Sequence, residues 1–128
     1  RSETVIMKED SVLSVLDKSD FEELVKNPLI KTVNQTIAKS MLDTGHIPID
    51  VRYAEEYDEG HMSDAILIPL FELRNRIDEL DKSKRYVVYC HGGSRSAVAT
   101  LVLAQNQFDV VSLEGGVRDW EYPLETTH

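Results

Sequence analysis

In the second half of the chain a short apolar run, Tyr86-Val87-Val88-Tyr89, ends in a cysteine, two adjacent glycines and the start of an amphipathic segment. An unbroken run of β-branched and aromatic residues of this length fills a strand buried on both faces. After Cys90 come His91, Gly92, Gly93 and Ser94, and a glycine pair permits turns and close backbone approaches that a Cβ forbids. From Arg95 onward, Ala97, Val98, Leu101, Val102 and Ala104 recur at three- and four-residue spacing, which marks one buried helical face. Strand, glycine loop and helix in that order form the repeating unit of a parallel α/β sheet. Cys90 then stands at a strand's C-terminal end, facing a helix N-terminus.

That placement has chemical consequences. Loop amides and the first unpaired N–H groups of a helix form a concave array of donors suited to a small anion. The anion can be the cysteine's own sulfur, because a thiolate near a helix N-terminus and a cation such as Arg95 is favoured over the thiol and is nucleophilic. An inert core cysteine is the competing reading, and it leaves the glycine pair and the helix start unexplained. Cys90 is therefore the expected catalytic residue, with His91, Gly92, Gly93, Ser94, Arg95 and Ser96 as the loop that binds substrate.

The loop Cys90-His91-Gly92-Gly93-Ser94-Arg95-Ser96 resembles the active-site loop of the rhodanese-like family, a cysteine followed after four residues by Arg and Ser or Thr. Similar blocks recur in order at Ile49-Asp50-Val51-Arg52, Glu56-Tyr57, Gly60-His61, Ala65 to Pro69, and Leu113-Glu114-Gly115-Gly116 with Trp120. Together they run roughly from Leu29 to Leu124. The resemblance implies a sulfurtransferase that carries sulfane sulfur as a Cys90 persulfide, from a donor such as thiosulfate to a thiol or cyanide. It implies no metal and no organic cofactor. Phosphatases and arsenate reductases similar to this fold have a loop one residue longer, so the shorter loop points to sulfur rather than phosphate. A regulatory module that senses persulfide or oxidant remains a second reading, and a phosphatase or arsenate reductase a third.

Composition narrows the setting. A length of 128 residues suits one domain. The formal net charge of −9 argues against nucleic acid or an anionic membrane as partner, since both need a basic face. An anionic donor must then be drawn in by loop dipoles and Arg95. The single cysteine excludes an internal disulfide and a multi-thiolate zinc cluster. A reducing cytoplasm suits such a thiol.

In chain order, Thr4 to Met7 and Val12 to Leu16 suggest a hairpin, and Ser19 with Glu22 a capped helix. Residues 1–28 read as an N-terminal extension whose pattern is similar to the tail of a cyclic-nucleotide-binding domain, which would precede this chain's main domain. That domain is expected over residues 29–124, with 125–128 a tail. It should hold an edge strand near Ile30 to Val33 and a helix from Gln35 to Asp43 burying Ile37, Ala38, Met41 and Leu42. Further strands are expected around Ile47 to Val51, Ile66 to Ile68 and Phe108 to Leu113. Strands alternating with helices indicate a five-stranded parallel sheet with helices on both faces. Asp50 and Arg52 fall at a strand end beside the crevice where ligands bind in such sheets. They are expected to form a structural ion pair that supports the site. His61 lacks a catalytic neighbour in sequence and reads as a hydrogen-bonded supporting residue. Trp120 is expected in the core, and the chain is expected to fray from Tyr122.

Overall fold

The structure is a computed structural model that describes residues 27–126. The hairpin and capped helix expected before Asn27 lie outside the described residues. Five strands form one parallel sheet: β1 (Thr32–Val33), β2 (Ile47–Asp50), β3 (Ile66–Leu67), β4 (Arg85–Tyr89) and β5 (Asp109–Leu113), in the order β1-β5-β4-β2-β3. The central position of β4 follows from its sequence: Tyr86, Val87, Val88 and Tyr89 are at most 2% exposed, as a strand covered on both faces must be. Each such apolar side chain contributes about 1.5 to 3 kcal/mol through burial.

Strand parity divides these residues between two cores. Tyr86, Val88 and Cys90 join Ile49, Val51 and Val110 in a cluster with Ala99, Val102 and Leu103 of helix α4 (Ser94–Gln105). Val87 and Tyr89 join Val111 and Leu113 in a second cluster, with Ala38, Met41 and Leu42 of helix α1 (Gln35–Asp43). Because successive side chains in a strand point to opposite faces, Cys90 looks toward α4 and Tyr89 looks away from it. Helix α2 (Ala54–Glu59) follows β2. After β3 the chain forms a 3₁₀ turn (Leu70–Glu72), a short α3 (Leu73–Arg76) and another 3₁₀ turn (Ile77–Glu79).

Two expectations change. Ile37 is 49% exposed rather than buried. Asn34 caps α1 by accepting a hydrogen bond from the Ile37 amide at 2.9 Å, which fixes the helix start so that Ala38 occupies the sheet-facing position and Ile37 the solvent side. The chain also does not fray at Glu125, whose backbone N–H donates to His61 O at 2.7 Å and whose carbonyl accepts from His61 N at 2.8 Å. Among the described residues no helix is long and apolar enough to cross a membrane.

Candidate active site

The loop between β4 and α4 curls around the sulfur of Cys90. The Gly93 amide donates to Sγ at 3.0 Å and the Ser96 amide at 3.4 Å, while the Ser96 hydroxyl lies 3.6 Å away. Gly93 makes this possible by adopting φ +109° at the N-cap of α4, a backbone state that L side chains rarely enter. Two N–H groups and a hydroxyl thus converge on one atom, an array suited to negative charge on sulfur. Cys90 itself is 0% exposed. His91 and Ser94 form the exposed rim, and Gly92 and Arg95 are partly buried.

The structure turns the Arg95 side chain outward from the loop. Its Nη1 and Nη2 donate to Oε1 and Oε2 of Glu56 at 2.9 and 3.0 Å. Glu56 Oε1 also accepts from the Tyr53 amide at 2.9 Å. The bond from Arg95 holds the Glu56 carboxyl below its ordinary range, and the bond to Glu56 raises Arg95 further. Arg95 therefore acts as a clamp between the first turn of α4 and α2. Glu56 was not singled out as a site residue, although its spacing from Tyr53 is that of a capping box.

The segment after β5 holds the loop from behind. Val117 N donates to Cys90 O at 3.0 Å and Arg118 N to His91 O at 2.9 Å. Gly116 lies so close beneath that a Cβ there would collide with the backbone oxygens of Cys90 and His91. These bonds keep the loop carbonyls turned away from the sulfur. A cleft of about 640 Å³ opens beside the loop, lined by Gly92, Gly93, Ser112, Glu114, Arg118 and Asn34 among others.

The remaining expected residues stand apart from the sulfur. The Asp50 carboxylate accepts from Arg52 N, Nε and Nη2 at 3.0, 2.9 and 2.7 Å, and Arg52 Nη2 also donates to Gly60 O at 2.7 Å. Both residues are buried, at 0% and 5% exposure. Burial opposes the Arg52 charge, but the hydrogen bonds and charge of Asp50 outweigh it and raise the guanidinium. Asp50 is in register with Tyr89, on the sheet face opposite Cys90. Burial and the Asp50 charge push the Tyr89 phenol well above its ordinary range; its oxygen accepts from Met62 N at 3.1 Å. His61 donates from Nδ1 to Tyr57 O at 2.9 Å and stacks on the Tyr57 ring at 3.8 Å. Among the described residues it makes no hydrogen bond to the Cys90 loop.

This fold, with a cysteine cradled at the C-terminal end of the central strand, defines the class, and the chain belongs to the rhodanese-like domain family, whose model matches residues 34–122. The thiosulfate sulfurtransferase GlpE of Pseudomonas syringae pv. syringae (strain B728a) is 32% identical over 92 residues, covering 70% of this chain and 87% of that protein. The putative sulfur carrier protein YrkF of Bacillus subtilis (strain 168) is 36% identical over 73 residues, which is 56% of this chain but only 40% of that protein. A crystal structure of a rhodanese-related protein from Thermoplasma volcanium superposes with a TM-score of 0.73 at 31% identity, covering 76% of this chain and 99% of that one.

Proposed function

We propose that the chain is a sulfurtransferase that moves sulfane sulfur through a persulfide on Cys90. The observation that carries this reading is the pair of amides on Sγ, at 3.0 and 3.4 Å, donors placed to stabilise the charge on a transferred sulfur. The thiolate attacks the outer sulfur of thiosulfate. A new S–S bond forms at Cys90, the S–S bond of thiosulfate breaks, and sulfite leaves with its electron pair. An acceptor thiolate or cyanide then takes the outer sulfur and returns Cys90 as a thiolate. Asp50, Arg52 and His61 support the scaffold, and no metal or organic cofactor takes part. The single thiol suits a reducing compartment such as the cytoplasm.

The test is the intact mass after incubation with thiosulfate, where one added sulfur atom is expected on the parent protein and none on Cys90→Ser, because a hydroxyl is not ionised at neutral pH and forms no stable persulfide. Substantial thiosulfate-to-cyanide turnover by Cys90→Ser would overturn the mechanism. A sulfur that loads once and never passes on would turn the reading toward a sensor.

A further inference from the structure

We infer that Ser112 is a positioning residue for Cys90, acting through the hydroxyl of Ser96; the inference rests on Cys90 being the reactive sulfur. Ser112 interrupts the apolar strand β5, and it is 2% exposed while Ser96 is 0% exposed. The β4–β5 register pairs Val88 with Ser112. Parity then places Ser112 on the same sheet face as Cys90, against α4. Its Oγ lies 2.9 Å from Ser96 Oγ, which in turn lies 3.6 Å from Cys90 Sγ and 3.1 Å from Gly93 O. Ser112 is also among the residues that line the cleft of about 640 Å³.

A hydroxyl carries one hydrogen and two lone pairs, so the Ser96 hydrogen has three possible acceptors and goes to one at a time. With Cys90 as a thiol, S–H donates to Ser96, Ser96 to Ser112, and Ser112 to solvent in the cleft. When the proton leaves, each hydrogen in the row moves one place: the S–H bond breaks, solvent gains a proton, and every oxygen gives one hydrogen and receives one. The result is the arrangement that suits the anion. Ser112 now donates to Ser96, and Ser96 donates to the sulfur. Without Ser112, nothing on that side supplies Ser96 with a hydrogen, and its own hydrogen divides between the sulfur and Gly93 O.

The groups around the sulfur are Arg95 on α4 with Glu56 on α2, Arg118 and Asp119 behind the loop, Asp50, Arg52 and Tyr89 on the far face, and His91 in the loop. Arg95, Arg118 and Arg52 are each paired with a carboxylate. His91 has no such partner among the described residues, so each comparison is repeated in a His91→Ala background.

The experiment follows the alkylation rate of Cys90 by iodoacetamide against pH in the parent protein, Ser112→Ala, Ser112→Thr, Ser96→Ala and the double alanine variant, with thermal melts alongside. For Ser112→Ala the midpoint should rise by about half to one pH unit and the rate at neutral pH should fall about threefold to tenfold, as expected when a hydrogen bond to an anion weakens. Ser112→Thr, which keeps the hydroxyl, should restore the profile. In the Ser96→Ala background the Ser112 change should have no further effect, since the connection is already cut. An unchanged midpoint in a folded Ser112→Ala protein overturns the inference, as does an effect that persists without Ser96. Loading of sulfur from thiosulfate is read separately by mass. Failure to load with the alkylation shift intact would refute the proposed function and leave this inference standing.

Discussion

Replacing Asp50 with Ala should cost stability far more than it costs turnover per folded molecule. The substitution removes the acceptor of three hydrogen bonds and leaves Arg52 buried, with Gly60 O as its remaining hydrogen-bonded partner. Breaking a buried pair by deleting one member costs about 3 to 5 kcal/mol. For a domain of this size that lowers the melting temperature on the order of 10 to 25 °C, a large part of a typical total stability of about 5 to 15 kcal/mol. Urea unfolding followed by far-UV circular dichroism gives the loss. Initial rates of thiosulfate consumption, divided by the folded fraction at the same temperature, give the second quantity. A companion Asp50→Leu/Arg52→Met protein should recover much of the loss, because apolar side chains of similar volume often replace a buried pair without penalty. The reasoning depends on Asp50 lying on the sheet face opposite Cys90. A variant that keeps its stability and loses its turnover would place Asp50 in the site and refute it.

Gly116→Ala should lower both sulfur transfer and stability, transfer by more than about tenfold, because a Cβ collides with the carbonyls of Cys90 and His91; steady-state rates and a melt check this. Glu56 has a lowered folded pKa, so its contribution to stability is present above its ordinary value of 4.5 and is lost as pH falls through the folded one. Glu56→Gln should therefore be less stable near neutrality and show a flatter acid limb in melts taken from pH 7 down to pH 3. Among the described residues the Thr100 hydroxyl, buried on α4, has no hydrogen-bond partner. Thr100→Val should thus raise the denaturation midpoint, by an amount corresponding to about 1 kcal/mol, and a clear loss of stability would show that the hydroxyl is satisfied.

The strand-loop-helix unit was legible because local chemistry dictates it. A buried strand, a glycine pair and a helical face adjoin in sequence, and their periods of 2 and 3.6 place Cys90 facing α4 without any tertiary information. What was not legible depends on register and distant partners. Ser112 reads as one polar residue in an apolar strand, and only the pairing of Val88 with Ser112 brings it to Ser96. Glu56 is separated from Arg95 by 39 positions, and nothing local marks one carboxylate as the partner. Ile37 was expected in the core because its four-residue spacing from Met41 fits a buried helical face, but the Asn34 cap sets the helix phase and leaves it outside. Gly115 and Gly116 stood in sequence as part of a block resembling the family, and the surface that Gly116 packs against, the back of the Cys90 loop, comes from the tertiary fold.

Tyr89 and Cys90 are neighbours in sequence whose side chains serve opposite sides of the sheet: one belongs to the brace of Asp50 and Arg52, the other to the sulfur cradle. Damage to one should leave the other intact. A descendant of this domain could lose Cys90, and all of its sulfur chemistry, while remaining folded with its cleft preserved. Such a copy would be free to become a binding module, and an engineer could graft a different loop onto β4 with the brace undisturbed.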